Sequence, residues 1–206
     1  MDKLKDDKYV SRAGLKMELA NQKFRLSFKD KNVLDVGSST GGFTDYALKK
    51  GARKIIAIEL GTNQMDESIA KNPDVELHEK TNILDILPYQ PVNNGSNLRF
   101  IPDITMIDLS FVSLKKILPH ISKLINQKSL AIVLVKPQFE AKPVDKNKGI
   151  IKNEAIRRHI LKDFEYWVKE YFIILDKVDS MITGTKGNKE RFYLLSKKIN
   201  SKLNKT

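Results

Sequence analysis

The stretch Val33-Leu34-Asp35-Val36-Gly37-Ser38-Ser39-Thr40-Gly41-Gly42-Phe43 decides how this sequence is interpreted. A short apolar run ends beside an acidic residue, and a Gly-rich turn follows that opens a helix. Glycine allows a ligand to approach the backbone closely, and the N–H groups of a helix start favour an anionic group. These features predict a small-ligand site at the carboxyl edge of a parallel sheet.

The spacing of this turn narrows the choice of ligand. Three residues separate Gly37 from Gly41, so the turn is not a G-x-G-x-x-G dinucleotide motif, and no Gly-Lys-Ser/Thr follows as in a Walker loop. Asp35 suits a ligand with an ammonium group, and S-adenosylmethionine carries both an ammonium and a carboxylate. Glu59 ends the next predicted strand, where an acid can accept hydrogen bonds from ribose hydroxyls. A plain tight turn with a surface acid is the alternative interpretation.

The rest of the chain alternates short apolar runs with amphipathic stretches, which is typical of an α/β sheet. Seven strands are predicted, the last two antiparallel: residues 31–36, 54–60, 75–78, 101–109, 130–135, 172–182 and 191–195. Helices are predicted at residues 11–24 and 40–50 and along two apolar stripes, 114–125 and 156–171. Asn82 follows the third strand, where its side chain can meet an adenine edge or cap the next short helix.

The composition restricts the class of protein. Among 206 residues, 37 Lys and Arg against 25 Asp and Glu give a net charge of +12, which favours a nucleic-acid partner or simply a solvated basic surface. The absence of Cys excludes a disulfide scaffold and a thiolate zinc site, and the three His lack ligand spacing. No apolar run approaches a membrane span and the N-terminus lacks a signal-peptide core, so we predict a soluble cytoplasmic protein.

Two polar residues end neighbouring predicted strands. Asp108 follows the fourth strand and Lys136 the fifth, so both are expected to face one cleft. A lysine placed where water is scarce can act as a general base, with the acid orienting its amine. The alternative interpretation is a strand-end salt bridge.

Five motifs in order resemble a known family: YVSRAGLK from Tyr9, DVGSSTGGFTD from Asp35, DLSFVSL from Asp108, VKPQFE from Val135 and GTKGNKE from Gly184. The sequence resembles the TlyA family of haemolysins and ribosomal RNA methyltransferases, which is related to the FtsJ/RrmJ-type ribose 2′-O-methyltransferases. The resemblance implies an α/β, Rossmann-like class I methyltransferase fold: a mostly parallel seven-stranded sheet with helices on both faces.

The resemblance also implies a catalytic tetrad of Lys16, Asp108, Lys136 and Glu190. The expected activity is S-adenosylmethionine-dependent 2′-O-methylation of a ribose, with cytidine favoured, in ribosomal RNA or ribosomal subunits, without a metal or a membrane. The predicted cofactor-binding residues are Asp35, Gly37, Ser38, Ser39, Thr40, Gly41, Gly42, Phe43, Glu59, Asn82 and Asp108. The alternatives are a haemolysin-like membrane-active protein and a non-catalytic RNA-binding assembly factor.

The sequence departs from the family pattern at its start. Family members usually begin with an S4-type RNA-binding domain, which does not fit before Tyr9, so a truncated or a reduced family member is expected. We predict an N-terminal helical extension over residues 1–30 and a methyltransferase domain over residues 31–200. Arg12, Lys16 and the lysines of residues 142–152 are candidates for holding phosphates, with a solvated basic face as the alternative.

Overall fold

A computed structural model describes residues 8–91, 97–145, 149–184 and 186–199. The strands are β1 Asn32–Val36, β2 Lys54–Ile58, β3 Val75–His78, β4 Ile104–Ile107, β5 Leu130–Val135, β6 Phe172–Asp179 and β7 Arg191–Lys197. The helices are α1 Arg12–Phe24, α2 Gly42–Lys49, α3 Glu67–Ala70, α4 Leu114–Leu124, α5 Pro137–Glu140 and α6 Glu154–Val168.

The strands form one sheet in the order β3-β2-β1-β4-β5-β7-β6. The first five strands are parallel, while β7 lies antiparallel between β5 and β6. The predicted fold class, including the seven strands and the final antiparallel pair, is confirmed. Strand β4 is shorter than predicted: Asp103 instead accepts a hydrogen bond from the backbone of Asn32, and Asp108 turns into the loop that follows.

Helices cover both faces of the sheet, which explains why its central strands are continuous apolar runs. On one face, α4 and α6 pack their apolar stripes on β1, β4, β5 and β7. On the other face, α1 and α2 enclose a second cluster built around Met17, Tyr46 and Phe192. Both cores contain residues from distant parts of the chain, so their packing fixes the helices against the sheet.

Helices α1 and α2 approach each other closely at a pair of glycines. A Cβ on Gly14 would lie 2.9 Å from the Gly42 carbonyl oxygen and 2.5 Å from Cγ of Tyr9. A Cβ on Gly42 would lie 2.9 Å from the Gly14 nitrogen and 2.2 Å from Oγ of Ser11. No side chain fits in this gap, so the glycines let α1 lie against α2 and carry Lys16 to the carboxyl edge of the sheet.

Candidate active site

Two strand-end residues form an ion pair at the carboxyl edge of the sheet. Lys136 Nζ lies 2.6 Å from Asp108 Oδ1 and donates a hydrogen bond of 3.0 Å to Ser110 Oγ. The Lys136 and Asp108 side chains are 12% and 18% exposed. Because β4 and β5 are parallel neighbours, the residues that follow them meet at one edge, so a partly buried amine is held beside a carboxylate within reach of solvent.

A second ion pair lies at the same edge. Lys16 Nζ on α1 donates to Glu190 Oε2 at 2.7 Å, and these side chains are 12% and 2% exposed. Val135 pairs with Arg191 in the antiparallel ladder, so Lys136, which follows β5, and Glu190, which precedes β7, lie next to each other at this edge. Gln138 Nε2 lies 3.5 Å from Glu190 Oε1 and links α5 to this second pair. All four residues of the implied tetrad therefore lie along one edge as two ion pairs.

The backbone before Glu190 is fixed by buried polar groups. Arg157 Nε on α6 donates to the Lys189 carbonyl at 3.1 Å, while the same guanidinium bonds Asp179. Asn188 is buried and accepts a 2.9 Å hydrogen bond from the Ile151 N–H. These contacts tie the segment before β7 to the start of α6 and hold the Glu190 carboxylate in place.

The Gly-rich turn packs directly on the first ion pair. Gly37 has φ 83°, and a Cβ there would lie 2.7 Å from the Asp108 carbonyl oxygen. Only glycine satisfies both the positive φ and the close approach. The turn therefore places its backbone against the residue that orients Lys136.

Asp35 is fully buried, so the alternative of a surface acid is wrong. One carboxyl oxygen accepts a 2.6 Å hydrogen bond from the Thr44 hydroxyl, and the other, Oδ1, has no partner among the described residues. Burial raises the pKa of Asp35 to about 7, and the nearby charge of Asp108 adds to the rise. The Asp35 carboxyl group therefore lies on the buried side of the Gly-rich turn.

Two adjoining cavities open at this edge. The larger has a volume of about 750 Å³ and the smaller of about 160 Å³, and Gly37, Ser39, Asp108 and Ser110 line both. Lys136 lines the smaller cavity, while Glu59 and Asn82 line the larger one. Eight of the predicted cofactor residues line one cavity or both: Gly37, Ser38, Ser39, Thr40, Phe43, Glu59, Asn82 and Asp108.

The other three predicted cofactor residues lie outside the lining of both cavities. They are Asp35, Gly41 and Gly42. Gly41 has φ 85° at the start of α2 and faces Met65 and Ile69, while Gly42 faces α1. The chain packs against Gly41 and Gly42, and a cofactor-binding role for all three residues stays a prediction.

Two polar residues of the larger cavity are held by backbone groups. Glu59 accepts hydrogen bonds from the N–H groups of Ser39 at 2.8 Å and Gly61 at 2.7 Å. Asn82 accepts a 3.0 Å bond from the Leu84 N–H and so caps the 3-10 turn Ile83–Asp85. The capping interpretation of Asn82 is therefore correct, and the residue lines the cavity as well.

The structure adds residues that the sequence reasoning did not single out. Phe111 is 91% exposed with φ 65°, and its ring lies 5.1 Å from that of Phe139. Glu140 accepts hydrogen bonds from the Ser113 hydroxyl at 2.6 Å and the Leu114 N–H at 2.8 Å. Glu140 therefore joins the loop after β4 to α5. Phe111 lies within DLSFVSL and Glu140 within VKPQFE, and an aromatic residue three positions after the strand-end acid Asp108 was the available signal.

Of the basic residues predicted to hold phosphates, some lie in the described part of the chain and some do not. Arg12, Lys142 and Lys152 are exposed, whereas Lys146 and Lys148 lie outside the described residues. Within the described part of the chain, no three His, Asp or Glu side chains converge as a metal site would require. Across the same residues, no helix has the length and apolar content that crossing a bilayer requires.

The strand-end lysine and acid and the Gly-rich turn all lie within a stretch that matches a known family. The family model described as FtsJ-like methyltransferase matches residues 9–198. This chain belongs to the FtsJ-like methyltransferase family. The match includes α1 and β7, the two elements that carry the Lys16–Glu190 pair.

Curated relatives of this FtsJ-like methyltransferase are named either as rRNA methyltransferases or as a hemolysin. It is 39% identical to YqxC of Bacillus subtilis, named as a candidate rRNA methyltransferase, over 89% of this chain and 64% of that protein. It is 40% identical to Hemolysin A of Brachyspira hyodysenteriae over 89% and 75%. It is 36% identical to the 23S rRNA (cytidine-2′-O)-methyltransferase TlyA of Campylobacter jejuni over 90% and 70%. The chain thus spans less than two thirds of YqxC.

Solved structures share its fold. A protein of Streptococcus thermophilus named as a candidate hemolysin superposes with a TM-score of 0.85 at 36% identity, covering 95% of this chain and 68% of that one. A protein of Listeria monocytogenes named as a candidate S-adenosylmethionine-dependent methyltransferase superposes with a TM-score of 0.62 at 18% identity, covering 92% of this chain and 100% of that one. At such low identity, the second likeness concerns the fold alone.

Proposed function

We propose that this FtsJ-like methyltransferase transfers a methyl group from S-adenosylmethionine to the 2′-hydroxyl of a cytidine ribose in ribosomal RNA. The observation that carries the proposal is the Lys136–Asp108 ion pair at the wall shared by the two cavities. One cavity is large enough for a cofactor, and the other places an amine beside it. The name of the Campylobacter jejuni relative, at 36% identity, supports the same reaction, and we place the reaction in the cytoplasm.

The residues around the larger cavity fit S-adenosylmethionine. Each Glu59 oxygen accepts one backbone N–H and keeps a further lone pair, so the carboxylate can accept both ribose hydroxyls. Leu60, Leu84 and Ile117 supply apolar walls for a base. Gly37 lines both cavities, and its missing side chain lets the turn pack on Asp108. When bound, the cofactor supplies an electrophilic methyl group.

Lys136 is assigned as the general base. As a free amine, its Nζ would take the proton of the 2′-hydroxyl while the oxygen forms the new bond to the methyl carbon. The carbon–sulfur bond would break in the same step, and a neutral thioether would leave. Asp108 and Ser110 hold the amine by contacts of 2.6 and 3.0 Å and aim it into the smaller cavity. General base catalysis contributes about 10²–10⁴-fold, and fixed orientation of the reactants contributes roughly 7–11 kcal/mol more.

Lys16 and Glu190 are assigned to holding the ribose. Their pair is nearly buried, and Gln138 connects it to the helix that begins after Lys136. The lysine can donate to a sugar oxygen and the carboxylate can accept from a sugar hydroxyl. Binding through the 2′-hydroxyl also distinguishes RNA from DNA.

Phe111 supports a nucleic-acid substrate. The ring lines the larger cavity, is almost fully exposed, and occupies a left-handed backbone conformation that is strained for a bulky residue. An exposed aromatic face beside the reacting groups is suited to stacking on an unpaired base. We assign Phe111 to that contact.

The test is transfer of tritium-labelled methyl groups from S-adenosylmethionine to 16S and 23S rRNA transcribed in vitro, followed by mapping of the modified ribose. Lys136→Ala and Lys136→Arg should both lose at least 10²-fold in turnover, because arginine keeps the charge beside Asp108 but cannot release its proton. Lys128→Arg, at the opposite edge of the sheet, should match the unaltered protein.

Three outcomes contradict the proposal. Methylation of a base instead of a ribose would refute the reaction. Full turnover by Lys136→Arg would refute the base assignment. Tight binding of rRNA without any methyl transfer, from transcripts and under-modified subunits alike, would favour the non-catalytic assembly factor.

A further inference from the structure

Helix α6 carries a row of basic and aromatic side chains on its outer surface. We call Arg158, Lys162, Tyr166 and Lys169 the α6 stripe. All four are exposed, and Tyr166 is 83% exposed. At 100° and 1.5 Å per residue, the four positions fall within an arc of about 80° and extend over about 16 Å. They therefore form one continuous surface.

The positive charge of the α6 stripe is not compensated within the described structure. No ion pair joins Arg158, Lys162 or Lys169 to any residue that the structure describes. The three acids of α6 have other partners: Glu154 pairs with Arg157, Asp163 lies 3.4 Å from His159 Nε2, and Glu165 pairs with Lys177.

This pattern differs from that of an ordinary solvated helix face. Such a face usually alternates charge at i and i+4, which stabilises the helix. Arg158 and Lys162 place two like charges at that spacing, which destabilises an isolated helix. Glu154 and Glu165 stand four residues before Arg158 and Lys169, but they bond Arg157 and Lys177 instead. An external polyanion would relieve this repulsion.

The α6 stripe starts beside the candidate active site. Arg157, its neighbour in the chain, bonds the carbonyl of Lys189, directly before Glu190. Helix α6 precedes β6, which runs parallel to β5, so the helix leads from the active edge to the opposite edge of the sheet. A strand of nucleic acid that reaches the tetrad can continue along this helix.

We propose that the α6 stripe binds the phosphodiester backbone of the substrate RNA, with Tyr166 stacking on an unpaired base. The inference rests on the proposed function and names a second contact region for the same substrate. Cations hold phosphates and an exposed ring between them stacks on a base, the combination that single-stranded RNA requires. A membrane surface fits less well, because the apolar side of α6 is packed on the sheet and only one large ring faces out.

The test compares two variants of equal net charge. Arg158→Gln/Lys162→Gln removes two cations of the stripe, and Lys29→Gln/Lys128→Gln removes two exposed cations at the opposite edge of the sheet. Binding of in vitro transcribed 23S rRNA is measured over a range of KCl concentrations. The stripe variant should bind about tenfold more weakly, and its slope of log K against log salt should fall by about 1.4–1.8. The control should stay within about twofold.

Tyr166 is tested separately. Tyr166→Ala should weaken RNA binding by about tenfold, while Tyr166→Phe, which keeps the ring, should bind normally. In methyl transfer, the stripe variant should raise KM for rRNA and leave kcat at saturating RNA unchanged. Circular dichroism of each variant verifies that α6 is intact.

The outcomes separate this inference from the proposed function. Equal affinity and equal salt slope for the stripe and control variants would overturn the inference, even where the unaltered protein methylates rRNA. Binding to phosphatidylserine vesicles that depends on the stripe, without an effect on RNA, would also overturn it. Stripe-dependent RNA binding in a protein that transfers no methyl group would support the inference and refute the proposed reaction.

Discussion

Replacing Asp35 by asparagine should change how stability depends on pH. Asp35 is fully buried, and its pKa is raised from 3.8 to about 7, chiefly by desolvation. The folded protein therefore binds one proton more than the unfolded chain between these two values. Because the folded-state pKa is the higher one, this stabilising contribution is complete below pH 4 and is lost as the pH rises through 7.

The size of the effect follows from the pKa difference. About three pKa units at 1.36 kcal/mol each correspond to about 4 kcal/mol between pH 4 and pH 8. The asparagine side chain of the variant does not titrate and can still accept from the Thr44 hydroxyl, but its buried amide donors cost about 1–3 kcal/mol at every pH. The variant should therefore be less stable than the unaltered protein near pH 4 and more stable near pH 8.

Urea unfolding followed by circular dichroism at pH 4.5, 6 and 8 measures this difference, in which other titrating groups cancel. A matched variant, Thr44→Val, removes the hydroxyl that lowers the pKa of Asp35, so its loss of stability should move to higher pH. A difference between the unaltered protein and Asp35→Asn that stays constant over this range would refute the reasoning.

Substitutions at three further positions test the residues that support the site. Gly14→Ala should lower the free energy of unfolding in urea by about 1–3 kcal/mol, because its Cβ would lie 2.5 Å from Cγ of Tyr9. The rate of methyl transfer should fall as well, since α1 carries Lys16, and unchanged activity would contradict this. Glu140→Ala should cost about 2 kcal/mol and Glu140→Gln about half as much, because two hydrogen bonds to the start of α4 are lost or weakened; equal costs would contradict it. Phe111→Ala should change the free energy of unfolding by less than about 0.5 kcal/mol but raise KM for rRNA at least fivefold, while Phe111→Tyr should leave KM unchanged. A lower free energy of unfolding with an unchanged KM in Phe111→Ala would show that the ring is purely structural.

Most of the sheet was predictable because strands buried on both faces are continuous apolar runs. The bounds of β5, which is such a run, agree with the prediction. The bounds of the edge strand β3 also agree, although its residues are only partly buried. The prediction for β2 extended to Leu60, but the strand ends at Ile58. The Glu59 carboxylate binds backbone N–H groups of two turns there, a contact that apolar periodicity does not encode.

The candidate site was only partly predictable from the residues. Asp108 and Lys136 follow adjacent parallel strands, so their position along the chain indicated that they would meet. The Lys16–Glu190 pair joins residues 174 positions apart, and only the family resemblance connected them. A direct contact between Asp35 and an ammonium group stays a prediction. The spacing of residues along the sequence did not indicate that the Asp35 carboxyl group is fully buried.

The placement of β7 between β5 and β6 has a consequence for biosynthesis. Lys16 is made early and its carboxylate partner near the end, so a growing chain holds an unneutralised amine until β7 inserts into the sheet. A nascent or proteolytically shortened chain that stops before residue 190 would contain the turn and the first ion pair but lack the second. Such fragments should be inert, which restricts the chemistry to chains that have completed their final strand.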